Sequence, residues 1–189
     1  MAVHEDELKS RLDRVNSWIN NCDQKASILL AVEGVVLTVL CTSDYISWIH
    51  QKLISPIYNY CETGNGEFSL INAIQLCLLA VMLVMIILSI FYSLQVIKGT
   101  INASMFKQFG LTEKSLLHFA SISNKSFSDF KRETINQSDE SVINDLLSQI
   151  YINSYICTTK FKHHKKSVCS FCTFLFLLVI MMVIQFAIK

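Results

Sequence analysis

Charge is scarce in this chain. Of its 189 residues only 16% are Asp, Glu, Lys or Arg, while 52% are hydrophobic. An ordinary soluble domain carries charge on about a quarter of its residues, so the composition points to lipid contact. Proline is nearly absent, with Pro56 alone, and there are five glycines; little in the chain therefore breaks a helix. The net charge of +1 gives no concentrated cationic face of the kind that binds a nucleic-acid polymer. A P-loop, HExxH, GxSxG and the Rossmann glycine pattern are all missing, and an enzyme is not expected. The seven cysteines are odd in number and scattered through apolar runs, which is no disulfide framework; they read as small hydrophobes. Cys169 and Cys172 have CxxC spacing beside His163 and His164. They open a lipid-embedded helix and have no second ligand pair, so no metal site or cofactor is expected.

What is present is helical periodicity running into long apolar stretches. From Leu8 the positions Leu8, Leu12, Val15, Ile19, Cys22 and Ala26 alternate steps of four and three, the seam of a helix packed on another. Near the chain's start both charge signs occur, unlike the basic head of a cleaved signal peptide, so the first apolar run reads as a retained span. A second seam, Ile143, Leu147, Ile150, Ser154, Cys157, Phe161, His164 and Val168, leads without a breaker into the last apolar run. Ser138-Asp139-Glu140 is its start signal. Leu70–Phe91 is uncharged and gives the clearest span; its helix is expected to continue to about Phe109, with Gly110 as the stop. Residues 115–122 leave a short helix and a buried strand-like piece both open, and 124–137 read as a short helix.

Spans need roughly 20 residues. The expected division is a cytosolic amphipathic helix over 1–27, transmembrane helices over 28–49, 69–94 and 168–188, an external loop over 50–68, and a cytosolic helical region over 95–167. The fold class is thus all-α, three transmembrane helices with long cytosolic helical extensions that form a bundle. Bases set the orientation. Lys9, Arg11, Arg14 and Lys25 precede the first span and ten Lys or Arg fall within 97–167, against Lys52 alone in 43–69 and Lys189 at the end. The positive-inside rule places the N-terminus in the cytoplasm and the C-terminus outside.

Three sets of residues invite function. Lys160, Lys162, Lys165 and Lys166 precede the last span and read either as anchors on anionic headgroups or as an anion-binding cluster. Asp23 and Lys25 read as a pair at the membrane border. Glu33 lies inside an apolar run, where an ionisable group faces protein or water rather than lipid; packing and a pore or gating role both stay open.

The stretch Trp18-Ile19, then Asp23-Gln24-Lys25-Ala26-Ser27 leading into the first span, resembles the opening of the Pycsar transmembrane effectors (PycTM) of bacterial anti-phage defence. Ser115–Ile122 and Asp145–Lys160, the latter with the pattern DL..QI...S.I...K, are similar to later parts of that family. The resemblance implies a multi-pass protein of the bacterial inner membrane that makes a homo-oligomer. It implies a signal ligand, cyclic CMP or cyclic UMP, made by a partner pyrimidine cyclase, and impairment of the membrane that ends in abortive infection. Residues 95–167 then become the sensing region. A cyclic nucleotide needs a cation for its phosphate, polar groups for its base edge and an aromatic to stack on; His118, Phe119, Ser121, Lys125, Lys131, Arg132 and Lys160 are the expected suppliers. A ligand-independent membrane scaffold and a holin-like pore former are the alternatives.

Overall fold

The computed structural model describes residues 5–63, 70–98, 108–112 and 115–187. Among these the secondary structure is helical throughout: α1 (Glu5–Leu40), α2 (Ser43–Ile49), a π-helical turn (His50–Ile54), α3 (Ser55–Thr63), α4 (Leu70–Lys98), α5 (Phe119–Ser123), α6 (Phe127–Ile135) and α7 (Asp139–Ala187). Two compact units result, one from Met1–Gln24 and Lys98–Lys162, the other from Lys25–Ile97 and His163–Lys189. Helices α1 and α7 contribute residues to each.

The first unit is built as a water-soluble domain is. Leu8, Val15 and Cys22 of α1 and Leu146, Ile152 and Cys157 of α7 are buried, each large aliphatic contributing about 1.5–3 kcal/mol. The α1 seam falls where its spacing predicts. That of α7 does not: Leu147 and Phe161 are exposed, while Asp145, Ser148, Gln149 and Lys160 are buried. The buried stripe is polar because its members bond to neighbours. The Asn153 amide donates to Asn16 Oδ1 at 2.9 Å, and Ser148 Oγ accepts the Thr112 N–H at 3.0 Å.

Helix α6 shows how local sequence sets a boundary. Ser126 is its N-cap, accepting the Asp129 N–H at 3.2 Å and donating to Asp129 Oδ2 at 2.7 Å. That donation, with the charge of Arg132, holds the Asp129 carboxyl below its ordinary value. A depressed folded-state value stabilises above the unfolded one and is lost as pH falls through the folded one, so α6 is expected to loosen below the ordinary Asp range. Replacing Ser126 by Ala is expected to cost the unit about 1 kcal/mol and to raise the pH of that acid transition, both read by circular dichroism. Helix α7 starts at its signal: Ser138 Oγ accepts the Ser141 N–H at 3.3 Å. Residues 115–122 hold the short α5 rather than a strand. Gly110 takes φ 90°, which glycine adopts freely; the expected continuation of α4 over 99–107 lies outside the described residues, and Gln108 and Phe109 are bend and turn rather than helix.

The second unit is built for lipid. Helices α4 and α7 are each long and apolar enough to cross a bilayer. The expected first crossing, 28–49, is not one straight helix. Thr42 is extended (φ −63°, ψ 147°), in the polar run Thr42-Ser43-Asp44, and Glu5–Leu40 passes the same test only together with Asp44–Glu62, bent from it by 59°. The expected external loop over 50–68 is also corrected: 50–63 are helical. Pro56 sits in the first turn of α3, which follows the π turn without a break, the Ser55 N–H donating to the His50 carbonyl. Leu53 from that turn packs with Met82 and Ile86 of α4 and Phe171, Phe174 and Met181 of α7.

Candidate functional site

In the first unit, an open groove of about 470 Å³ lies between α6 and the start of α7, lined by Thr112, Arg132, Glu133, Ser138, Ser141 and Asp145 among others. Its floor is Asp145, 1% exposed. One carboxylate oxygen, Oδ2, accepts the Leu116 N–H at 2.9 Å; the other, Oδ1, is buried with no hydrogen-bond partner among the described residues. A buried acceptor left unmade is costly, which marks Asp145 as a group poised for a donor. Around it stand Asn136 and Gln137, which offer amides, and Ser138 and Ser141 at the N-terminal turn of α7, where backbone N–H groups favour an anion. Arg132 supplies the cation and is held at 2.7 Å by Asp129. The groove thus presents one cation, Arg132, beside the carboxylates of Glu133 and Asp145, with Asp139 and Glu140 in the first turn of α7.

Of the residues expected to bind a ligand, only Arg132 lines this groove. Lys125 does not line it but pairs with Glu133, which does. His118 is the residue before α5, its ring 4.8 Å from that of Phe119, and Phe119 is 77% exposed. Ser121 is half-buried on α5 and Lys131 is exposed on α6. The groove's lining contains no aromatic. Lys160 is engaged elsewhere, its ammonium 2.5 Å from Asp23 Oδ1. Asp23 thus pairs with Lys160 on α7. Lys25 is exposed, and its charge adds to burial in holding His164 below its ordinary value. Asp145 and Thr112 line the groove and were not expected at the site. The signal for Asp145 was the DL..QI...S.I...K run, whose Asp145, Leu146, Gln149 and Lys160 are buried on α7.

The second unit holds a separate polar cluster. Glu33 of α1 is 0% exposed; its Oε1 accepts from Ser89 Oγ of α4, and its Oε2 has no partner. Ser93 Oγ lies 2.6 Å from Ser167 Oγ of α7, which donates to the Ser89 carbonyl at 2.9 Å. Three helices meet there. Ser89 and Ser93 are four apart on one helix face, the small-residue spacing that lets helices approach closely in lipid.

A helical protein with apolar helices long enough to cross a bilayer and a grooved polar unit has the make-up of a membrane protein. The family model for the Pycsar effector protein domain matches residues 7–188. The Pycsar effector protein GmPycTM of Gulbenkiania mobilis is 34% identical over 163 residues, covering 86% of this chain and 83% of that protein. No solved structure matches the chain. The chain belongs to the Pycsar effector family, as its sequence resemblance implied. Membership supports a role in anti-phage defence and implies a cyclic-nucleotide signal from a partner cyclase; the family is not a known class of enzyme.

Proposed function

We propose that this chain is the membrane effector of a Pycsar system. It sits in the bacterial inner membrane with its N-terminus in the cytoplasm and its C-terminus outside. It binds cyclic CMP or cyclic UMP from the partner cyclase and, as a homo-oligomer, impairs the membrane, causing abortive infection. The observation that supports sensing is the groove with Arg132 at one side and the unpartnered Asp145 Oδ1 at its floor. A cyclic phosphodiester has one negative charge for Arg132 and the α7 N-terminus. A ribose hydroxyl or an exocyclic amine provides the donor that Asp145 accepts.

Binding must favour one arrangement of the protein over another, since equal affinity for both shifts nothing. Moving a population from 1:99 to 99:1 takes about a 10⁴-fold difference. The test is isothermal titration of the purified full chain with cyclic CMP, UMP, AMP and GMP. Heat is expected with a pyrimidine nucleotide, and Arg132→Glu is expected to weaken it about tenfold or more. No heat with either pyrimidine nucleotide rejects the sensing reading. Cell killing on expression without a cyclase favours the holin-like reading instead.

A further inference from the structure

The interior of the second unit holds polar groups on either side of an apolar layer. Along α4 the buried side chains run Gln75, then Met82 and Ile86, then Ser89 and Ser93, and last Val96. Along α7 the order is reversed: Ser167 comes first, then Phe171, Phe174 and Met181, then Gln185. Gln185 and Gln75 line a cavity of about 520 Å³ together with Gln51, Asn72 and Lys52. Trp48, Pro56 and Phe186 complete the cavity's lining; the Glu33–serine cluster lies on the other side. Between them lies the apolar layer of Leu53, Met82, Ile86, Phe171, Phe174 and Met181.

A bundle held by packing alone has no use for a carboxylate at its centre. Glu33 is fully buried and one of its oxygens has no partner. Ser89 Oγ bonds its other oxygen, and Ser89 and Ser93 are joined in turn to Ser167 through hydroxyl and carbonyl contacts of 2.6–3.1 Å. Carboxylate, hydroxyl and carbonyl oxygens are the donors that replace the hydration shell of a hard cation. One carboxylate balances one positive charge, which suits a monovalent cation and repels an anion. The apolar layer has the chemistry of a constriction that closes by excluding water.

We propose that the interior of this unit is a closed cation path. The Glu33–Ser89–Ser93–Ser167 cluster is its monovalent-cation site, and the Met82–Ile86–Phe171–Phe174 layer is its gate. The proposal rests on the reading that the effector makes the membrane leaky, and names the permeating species and the residues that select it.

The test uses the full chain in vesicles of phosphatidylethanolamine and phosphatidylglycerol loaded with potassium chloride. Without any nucleotide, Phe174→Ser and the volume-conserving Met82→Gln are expected to release potassium at least about tenfold faster than wild type. The leak is expected to prefer potassium over chloride, and adding Glu33→Gln is expected to remove that preference. Both gate variants folded by circular dichroism and gel filtration but as tight as wild type would overturn the path. So would an unchanged preference with Glu33→Gln, or release of carboxyfluorescein as fast as potassium, which indicates general bilayer rupture. Tight gate variants beside a wild type that leaks on cyclic CMP or UMP leave the effector reading standing and the path rejected. Selective leak from the variants with no nucleotide response from wild type does the reverse.

Discussion

Replacing Asp23 by Ala is expected to destabilise the first unit by about 3 kcal/mol, whereas replacing Lys160 by Met costs about 1 kcal/mol or less. The asymmetry comes from burial. The Lys160 side chain is 8% exposed and that of Asp23 36%. Removing the carboxylate strands an ammonium away from water, and breaking a buried pair that way costs about 3–5 kcal/mol; the partial exposure of Asp23 places it at the low end. Removing the ammonium leaves a carboxylate that water still reaches, and methionine keeps most of the buried stem in place. The double variant Asp23→Ala, Lys160→Met is then expected to be more stable than Asp23→Ala alone. Urea unfolding of the full chain, followed by circular dichroism, measures all three. Equal losses from the two single variants would show that the pair behaves as a surface salt bridge.

The second large effect concerns Asp145 and separates its structural from its binding task. Asp145→Asn keeps the volume and an acceptor for the Leu116 N–H, and is expected to leave thermal stability nearly unchanged. Asp145→Ala strands that buried N–H and is expected to cost about 1–3 kcal/mol. Binding is expected to separate the variants differently. A hydrogen bond to a charged acceptor contributes about 1.5–3 kcal/mol, so Asp145→Asn is expected to weaken cyclic-nucleotide binding about tenfold to a hundredfold. The titration that tests sensing reads this directly. A variant that binds as the wild type does would remove Asp145 from the ligand's contacts while leaving the Leu116 bond intact.

The sequence and the structure agree where apolar pattern alone decides. The α1 seam at Leu8, Val15, Cys22 and Ala26 is buried as its spacing predicts, and α4 covers the uncharged run. They part where buried groups are polar. A search for apolar repeats rotates the α7 seam away from Asp145, Ser148 and Lys160, because bonding partners on other segments cannot be read from one helix. The break at Thr42 was masked by apolar residues on either side. For Glu33 the sequence showed a carboxylate in a span but not what faced it. Ser89 and Ser93, four apart in an apolar run, were the legible half of that answer; Ser167 was hidden among lysines and cysteines. The groove escaped notice because its floor comes from α7 and its rim from residues 112–138.

The serines that close the second unit have a consequence for how the chain comes apart. Lipid tails are as apolar as leucine, so hydrophobic burial does little to hold helices together there; packing and hydrogen bonds do. The first unit depends instead on burial from water, which weakens on cooling and in urea. One chain thus obeys two solvents. Cold and urea act on its first unit, while detergents and lipids that compete for close helix contacts act on the second.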